Sequence, residues 1–308
     1  MTQRAFQQVD VFTDTPYFGN PLAVVLDGSG LSTEAMQRFT DWTNLSECTF
    51  VLPPTNADAD YRVRIFCPGR ELPFAGHPTL GTCHAWLQAG GQPRGEHVVQ
   101  ECGVGLVPIR RDGHIDPAPG RPKPDQPPRG AATREAAERG GQVRLAFAAP
   151  PLRRSGPLDE ADVALIARGL GLSRDDVVAH AWCENGPPWR GVMLRTAAQL
   201  LALKPNASML AGLDVGVVAP QPAGADTAFE VRAFFHTVNA LSEDPVTGSL
   251  NAAVAQWLIG AGLAPDRYVA AQGTAMGRAG RVYIERDVDG TIWVGGASVT
   301  CISGQVTV

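Results

Sequence analysis

Hydrophobic and polar positions along this chain follow two periods. Residues 6–12 (Phe-Gln-Gln-Val-Asp-Val-Phe) alternate with a period of two, as a half-buried strand does. Residues 22–26, 48–52 and 60–66 are further short, apolar-rich runs and predict three more strands. Between them, residues 33–44 space Met36, Phe39 and Trp42 at helical intervals behind Ser32, a suitable cap. A second helix is predicted from Gly76 through Ala85, Trp86 and Leu87 to Gly90. It opens on Gly76-His77-Pro78, and a proline early in a helix has φ already set and lacks only an N–H that would have no partner. Residues 98–101 and 105–111 then read as a short antiparallel pair, with residues 142–148 as a partner for the second of these strands.

The second half repeats the mixture. A helix is expected over 159–170, closed by Gly171, then a strand over 189–195 and short helices over 197–204 and 207–213. Strands over 215–219 and 229–235 precede an apolar helix starting at Gly248. Residues 280–285 and 291–295 flank Asp289-Gly290, a hairpin signal, and 299–308 form a last strand. The strands are joined by turns more than by regular helical crossovers. The fold class read from this is α+β, with two antiparallel, barrel-like lobes, each holding one helix.

One arrangement occurs twice. Arg64-x-Phe66 leads to Glu71, then to the Gly76 helix, to Trp86-Leu87 and to Gly90. Arg232-x-Phe234 leads to Glu243, then to the Gly248 helix, to Trp257-Leu258 and to Gly262. The shared order predicts an internal duplication and two pseudo-symmetric lobes. We place the first lobe at 1–150 with 297–308 and the second at 151–296. If the lobes face each other, both helix N-termini converge on one cleft. Each offers unpaired backbone N–H groups and a partial positive charge, so an anion should bind between Gly76-His77 and Gly248-Ser249.

Composition changes this picture little. With 308 residues, 44% hydrophobic and 19% charged, the chain can bury a sizeable core. A formal charge of −5 argues against nucleic acid. The polar start predicts no signal peptide, and no apolar run approaches membrane-spanning length, so a cytoplasmic setting without membrane contact is expected. The six cysteines lie apart, in no zinc or redox spacing, and no metal is expected. Residues 116–141, with six prolines between Pro117 and Pro128, read as a flexible excursion inside a hairpin. Nucleotide, elbow-serine and zincin motifs are absent.

The candidate chemistry lies at the turns. Glu47 stands in an otherwise uncharged run beside Phe50, where apolar neighbours would raise its pKa and suit it to shuttle a proton; a surface glutamate or helix-end cap is the other reading. His77 is open as general acid/base, as donor to a bound carboxylate, or as a structural turn histidine. Asp244 and Ser249 bracket the second turn, as site residues or as turn and cap. Cys48 and Cys83 read as core residues.

The motifs Gly-Asn-Pro-Leu-Ala-Val-Val (19–25), Asn-Leu-Ser-Glu (44–47), Glu-Leu-Pro-Phe-Ala-Gly-His-Pro-Thr-Leu-Gly (71–81), Glu-Asp-Pro-Val-Thr-Gly-Ser (243–249), Gln-Gly-x-x-Met-Gly-Arg (272–278) and Val-Gly-Gly (294–296) resemble the PhzF phenazine-biosynthesis-like family. The resemblance runs from residue 6 to 304. It implies the diaminopimelate epimerase fold, two pseudo-symmetric lobes each wrapping a barrel-like sheet around a central helix. It further implies a cofactor-independent isomerase that moves a proton on a small carboxylated metabolite, and a homodimer. Glu47 matches the family's general acid/base, His77, Asp244 and Ser249 match residues around the substrate, and Gly76 and Gly248 match glycines whose amides face a carboxylate. The related racemases use two cysteines at the helix starts; here Ala75 and Thr247 stand nearby, so two-thiol racemisation is not available. Cys48 and Cys67 depart from the family pattern, and so does Cys183-Glu-Asn-Gly-Pro-Pro-Trp189, which puts the substrate carry-over in question. The rival readings are a dehydratase of a small hydroxy acid on the same scaffold and a non-catalytic binder of small acids.

Overall fold

The computed structural model describes residues 2–112, 144–236 and 240–308. In chain order the elements are β1 (Gln3–Val11), β2 (Asn20–Val25), α1 (Thr33–Thr43), β3 (Glu47–Leu52), β4 (Tyr61–Cys67), β5 (Arg70–Leu72), α2 (Gly76–Gln88), β6 (Val98–Cys102), β7 (Gly105–Asp112) and β8 (Arg144–Ala148). Then come α3 (Glu160–Gly169), β9 (Ala179–Glu184), β10 (Pro188–Met193), α4 (Ala197–Leu201), β11 (Asp214–Pro220), β12 (Phe229–His236), β13 (Leu241–Asp244), α5 (Gly248–Gly260), β14 (Arg267–Gln272), β15 (Gly280–Arg286), β16 (Ile292–Gly296) and β17 (Ser298–Thr307). The fold is α+β and dominated by sheet. It divides into two compact units, Met1–Ala148 with Gly295–Val308 and Ala149–Val294.

Within the first unit, β1 pairs antiparallel with β17 and β2, β3 with β4, β4 with β5, β6 with β7, and β7 with β8. Two pairs are parallel: β2 with β3, joined through α1, and β4 with β6, joined through α2. The second unit repeats the pairings of β1 to β7 in β9 to β15. β9–β10, β11–β12, β12–β13 and β14–β15 are antiparallel. β10–β11 is parallel around α4, and β12–β14 is parallel around α5. Helical crossovers therefore occur twice in each unit, because a parallel pair cannot be closed by a tight turn.

The repeated side chains also do the same thing twice. Phe66 lies opposite Glu71 in the β4–β5 register, and Phe234 lies opposite Glu243 in β12–β13. Arg64 grips Glu71 with two bonds, at 2.7 Å and 2.6 Å, while lying over the Phe66 ring. Arg232 grips Glu243 with two bonds of 2.8 Å and lies over Phe234. Each clamp holds the short strand that feeds a helix start. The second is more deeply set, and Arg232 also donates to the Leu200 and Leu203 carbonyls, which ends α4 at Leu201 rather than at the expected residue 204.

Both central helices are buried on most sides. In α2 every residue from Gly76 to Cys83 is buried, and the helix lies against β1, β2, β3, β6, β8 and β17. Gly81 allows that approach: a Cβ there would stand 2.6 Å from Leu22 Cδ2. In α5 the residues from Gly248 to Ala255 are buried, and the close contact is made from the strand side, where a Cβ on Gly216 would stand 2.4 Å from Leu250 Cδ1.

Several local expectations need correction. Met36 is buried and Phe39 packs into a chain of edge-on rings with Phe6, Phe50 and Phe66, but Trp42 is 82% exposed. At about 100° per residue, Trp42 has turned about 120° away from Met36. Residues 207–213 form successive turns instead of a helix, with Asn206 Oδ1 accepting from the Met209 N–H and Gly212 at φ 75°. Strands β9, β13 and β14 have no counterpart in the sequence reading. The excursion expected over 116–141 lies outside the described residues; the expected pairing of β7 with β8 is present.

Candidate functional site

Unit 1 brings Glu47 and His77 together. Glu47 opens β3, in register with Leu22 of β2. His77 is the second residue of α2 and 3% exposed. The strand and the helix are tied by Thr82 Oγ1 donating to Thr49 Oγ1 at 2.8 Å. Glu47 Oε2 lies 3.4 Å from His77 Nε2. Behind the ring, Asn20 Nδ2 stands 3.3 Å from His77 Nδ1.

With the Asn20 amide nitrogen as donor, Nδ1 accepts and the ring proton belongs on Nε2, the nitrogen nearer Glu47. Burial lowers the His77 pKa to about 3, so the ring is neutral through the physiological range. Asn20 is placed by the turn before it. The Gly19 N–H donates to Asp10 Oδ2 at 2.9 Å, and a Cβ on Gly19 would lie 2.2 Å from the Val11 carbonyl oxygen. The first intrahelical bond of α2 runs from Thr79 N to Ala75 O, and Pro78 has no N–H. The amides of Gly76 and His77 are thus left by the helix itself without a partner.

Unit 2 holds Asp244, Gly248 and Ser249 around the start of α5. Asp244 ends β13, and its Oδ2 accepts from Thr247 Oγ1 at 2.6 Å. Thr247, the residue before the helix, makes no side-chain cap to α5. Gln272, fully buried at the end of β14, holds the turn instead. Its Oε1 accepts from Thr247 N (3.0 Å) and Asn251 Nδ2 (2.7 Å), while its Nε2 donates to the Asp244 carbonyl (3.0 Å) and Thr247 Oγ1 (2.9 Å). Ser249 Oγ accepts from Trp189 Nε1 at 3.3 Å, and Asn185 Nδ2 donates to the Ser249 carbonyl at 2.9 Å.

Asn20, Thr247, Gln272, Asn185 and Trp189 had not been singled out as site residues. For Gln272 the usable signal is an amide closing the otherwise apolar run Tyr268-Val-Ala-Ala. Glu71, just before the α2 start in sequence, is engaged by Arg64. Cys48 is buried, and burial pushes its thiol up to about 11; the Cys83 thiol is pushed higher still by complete burial. Neither is a poised nucleophile. An open groove of about 580 Å³ in unit 1, walled by Arg62, Arg64, Glu71 and Glu101, contains neither Glu47 nor His77. Among the described residues no group of three or more His, Cys, Asp or Glu could hold a metal, and no helix is long and apolar enough to cross a membrane.

Comparison with known proteins matches residues 9–304 to the family described as phenazine biosynthesis-like protein, PhzC-PhzF. The chain is 32% identical over 320 residues to antisense-enhancing sequence 1 of Schizosaccharomyces pombe, covering 99% of both chains. It is 46% identical over 110 residues to trans-2,3-dihydro-3-hydroxyanthranilate isomerase of Pseudomonas aeruginosa, covering 35% of this chain and 38% of that one. Among solved structures, a PhzF-family phenazine biosynthesis protein of Bacillus anthracis superposes with a TM-score of 0.77 at 22% identity over 100% of both chains. These matches cover nearly the whole chain: it belongs to the phenazine biosynthesis-like protein family, PhzC-PhzF, and several of its named relatives are isomerases.

Proposed function

We propose that this protein is a cofactor-independent isomerase that moves a proton between carbons of a small carboxylated substrate, with Glu47 as general acid/base. The observation that carries the reading is the Glu47–His77 pair: a carboxylate oxygen 3.4 Å from a ring nitrogen of a buried imidazole that burial keeps neutral. Glu47 takes a proton from a carbon activated by the substrate carboxylate. The electron pair spreads into the conjugated carboxylate, and Glu47 returns the proton to another carbon. His77, 3.4 Å from the Glu47 carboxylate, stays neutral and takes no net charge. The developing negative charge is met by backbone N–H groups at the positive end of a helix; each unit has one such start, at Gly76-His77 in the first and at Gly248-Ser249 in the second. Asp244, held by Thr247 and Gln272, orients a polar group of the substrate.

The substrate class is that of the hydroxyanthranilate isomerase relative, a cyclic unsaturated acid bearing amino and hydroxyl groups. Incubation with trans-2,3-dihydro-3-hydroxyanthranilate in D2O, followed by mass spectrometry, tests the step. Wild type incorporates deuterium at carbon, and Glu47→Gln loses about 10²–10⁴-fold in rate while still folding. Exchange at an undiminished rate in Glu47→Gln moves the base elsewhere.

A further inference from the structure

The loop between β9 and β10, Asn185-Gly-Pro, and Trp189 at the start of β10 pack on the first turn of α5. Asn185 is 2% exposed. Its Nδ2 donates to the Ser249 carbonyl at 2.9 Å, which fixes the amide's orientation because only the nitrogen can donate. The other atom, Oδ1, is then a buried acceptor with no hydrogen-bond partner among the described residues. A buried amide oxygen left unpaired is costly, and an apolar side chain of the same size would avoid the cost. Next to it, Trp189 Nε1 donates to Ser249 Oγ at 3.3 Å, which leaves the Ser249 O–H free to donate in turn.

The start of α5 therefore offers donors, the Gly248 and Ser249 N–H groups and the Ser249 hydroxyl, together with one desolvated acceptor. A bare carboxylate satisfies the donors and leaves Asn185 Oδ1 unmatched. A carboxylate with an N–H or O–H donor on the neighbouring carbon satisfies both. We propose that Asn185 is a specificity-determining residue whose Oδ1 accepts a hydrogen bond from such a vicinal donor, selecting amino- or hydroxy-substituted acids over plain ones. The inference rests on the reading of the α5 start as a carboxylate site.

Isothermal titration of the full chain with 2-aminobenzoate and with 2-methylbenzoate, matched in size but lacking the donor, tests it. Wild type should bind 2-aminobenzoate about tenfold or more tightly than 2-methylbenzoate. In Asn185→Leu, or in Asn185→Ala if the leucine variant does not fold, the ratio should fall to about one while 2-methylbenzoate affinity stays within about threefold. Two outcomes overturn the assignment and leave the carboxylate site standing: equal affinities in wild type, or a preference that survives both substitutions. If wild type binds neither acid, the carboxylate reading fails and the Asn185 assignment falls with it.

Discussion

At the scale of single residues, burial decides what the ionisable groups do. His77 reads in the sequence as acid, base, anion donor or structural turn residue. Three per cent exposure and an amide donor on Nδ1 reduce these to a neutral ring whose Nε2 lies 3.4 Å from Glu47. Asn20 is then the residue that holds the useful tautomer. Asn20→Leu should lower kcat about tenfold or more with little change in KM, because the ring can rotate or carry its proton on the wrong nitrogen. An unchanged kcat in a variant that folds normally would remove Asn20 from the machinery. Glu47, His77 and the two helix-start glycines stood out from their local context, the apolar run and the turn before a helix. Asn20 did not, because nothing near it in sequence shows that a histidine lies behind it.

At the scale of elements, the duplication has energetic consequences that differ between copies. Arg232 and Glu243 are 7% and 16% exposed, against 23% and 39% for Arg64 and Glu71. Removing one partner of a buried pair strands the other, at about 3–5 kcal/mol, whereas an exposed pair is worth about 0–1 kcal/mol. Arg232→Met should therefore destabilise the protein by several-fold more than Arg64→Met, read from urea midpoints. Equal losses would show that the difference in burial does not matter. Gln272→Met removes four hydrogen bonds from the turn that sets Asp244 and the start of α5. It should cost about 2–4 kcal/mol, at about 1 kcal/mol per bond, and should weaken carboxylate binding as well. A fall in stability with affinity intact would confine Gln272 to a structural role. The spacing from Arg-x-Phe to Glu to Gly was legible beforehand because it is a linear pattern. The parallel pairing of β2 with β3 and of β10 with β11 was not, since a strand's partner depends on how its crossover helix docks.

For the whole molecule, one buried histidine and one half-buried histidine shape the response to acid. Burial lowers His77 to about 3 and His84 to about 4, below the ordinary value of 6.5. Between those values the unfolded chain binds protons that the folded chain refuses. The stability these neutral rings permit is thus fully present above about pH 6.5 and lost as pH falls toward the folded pKa values, by at most about 1.4 kcal/mol per pH unit for each ring. Urea unfolding from pH 7.5 to 4.5 should show this slope, and His77→Asn should flatten it by about one proton. A wild-type stability flat across that range would contradict the neutral rings. The sequence by itself determined whatever is written in local spacing: the alternating strands, the capped α1, both glycine-led helices, the repeated Arg-x-Phe clamp and the family motifs. Tertiary structure alone decided which polar groups lose their water and what they meet there. Trp42 faces solvent although its spacing follows the core, Gln272 holds the turn before α5 from a distant strand, and Asn185 keeps a buried acceptor beside Ser249. Desolvation and hydrogen-bond partnership depend on segments far apart in the chain, so no window of sequence contains them.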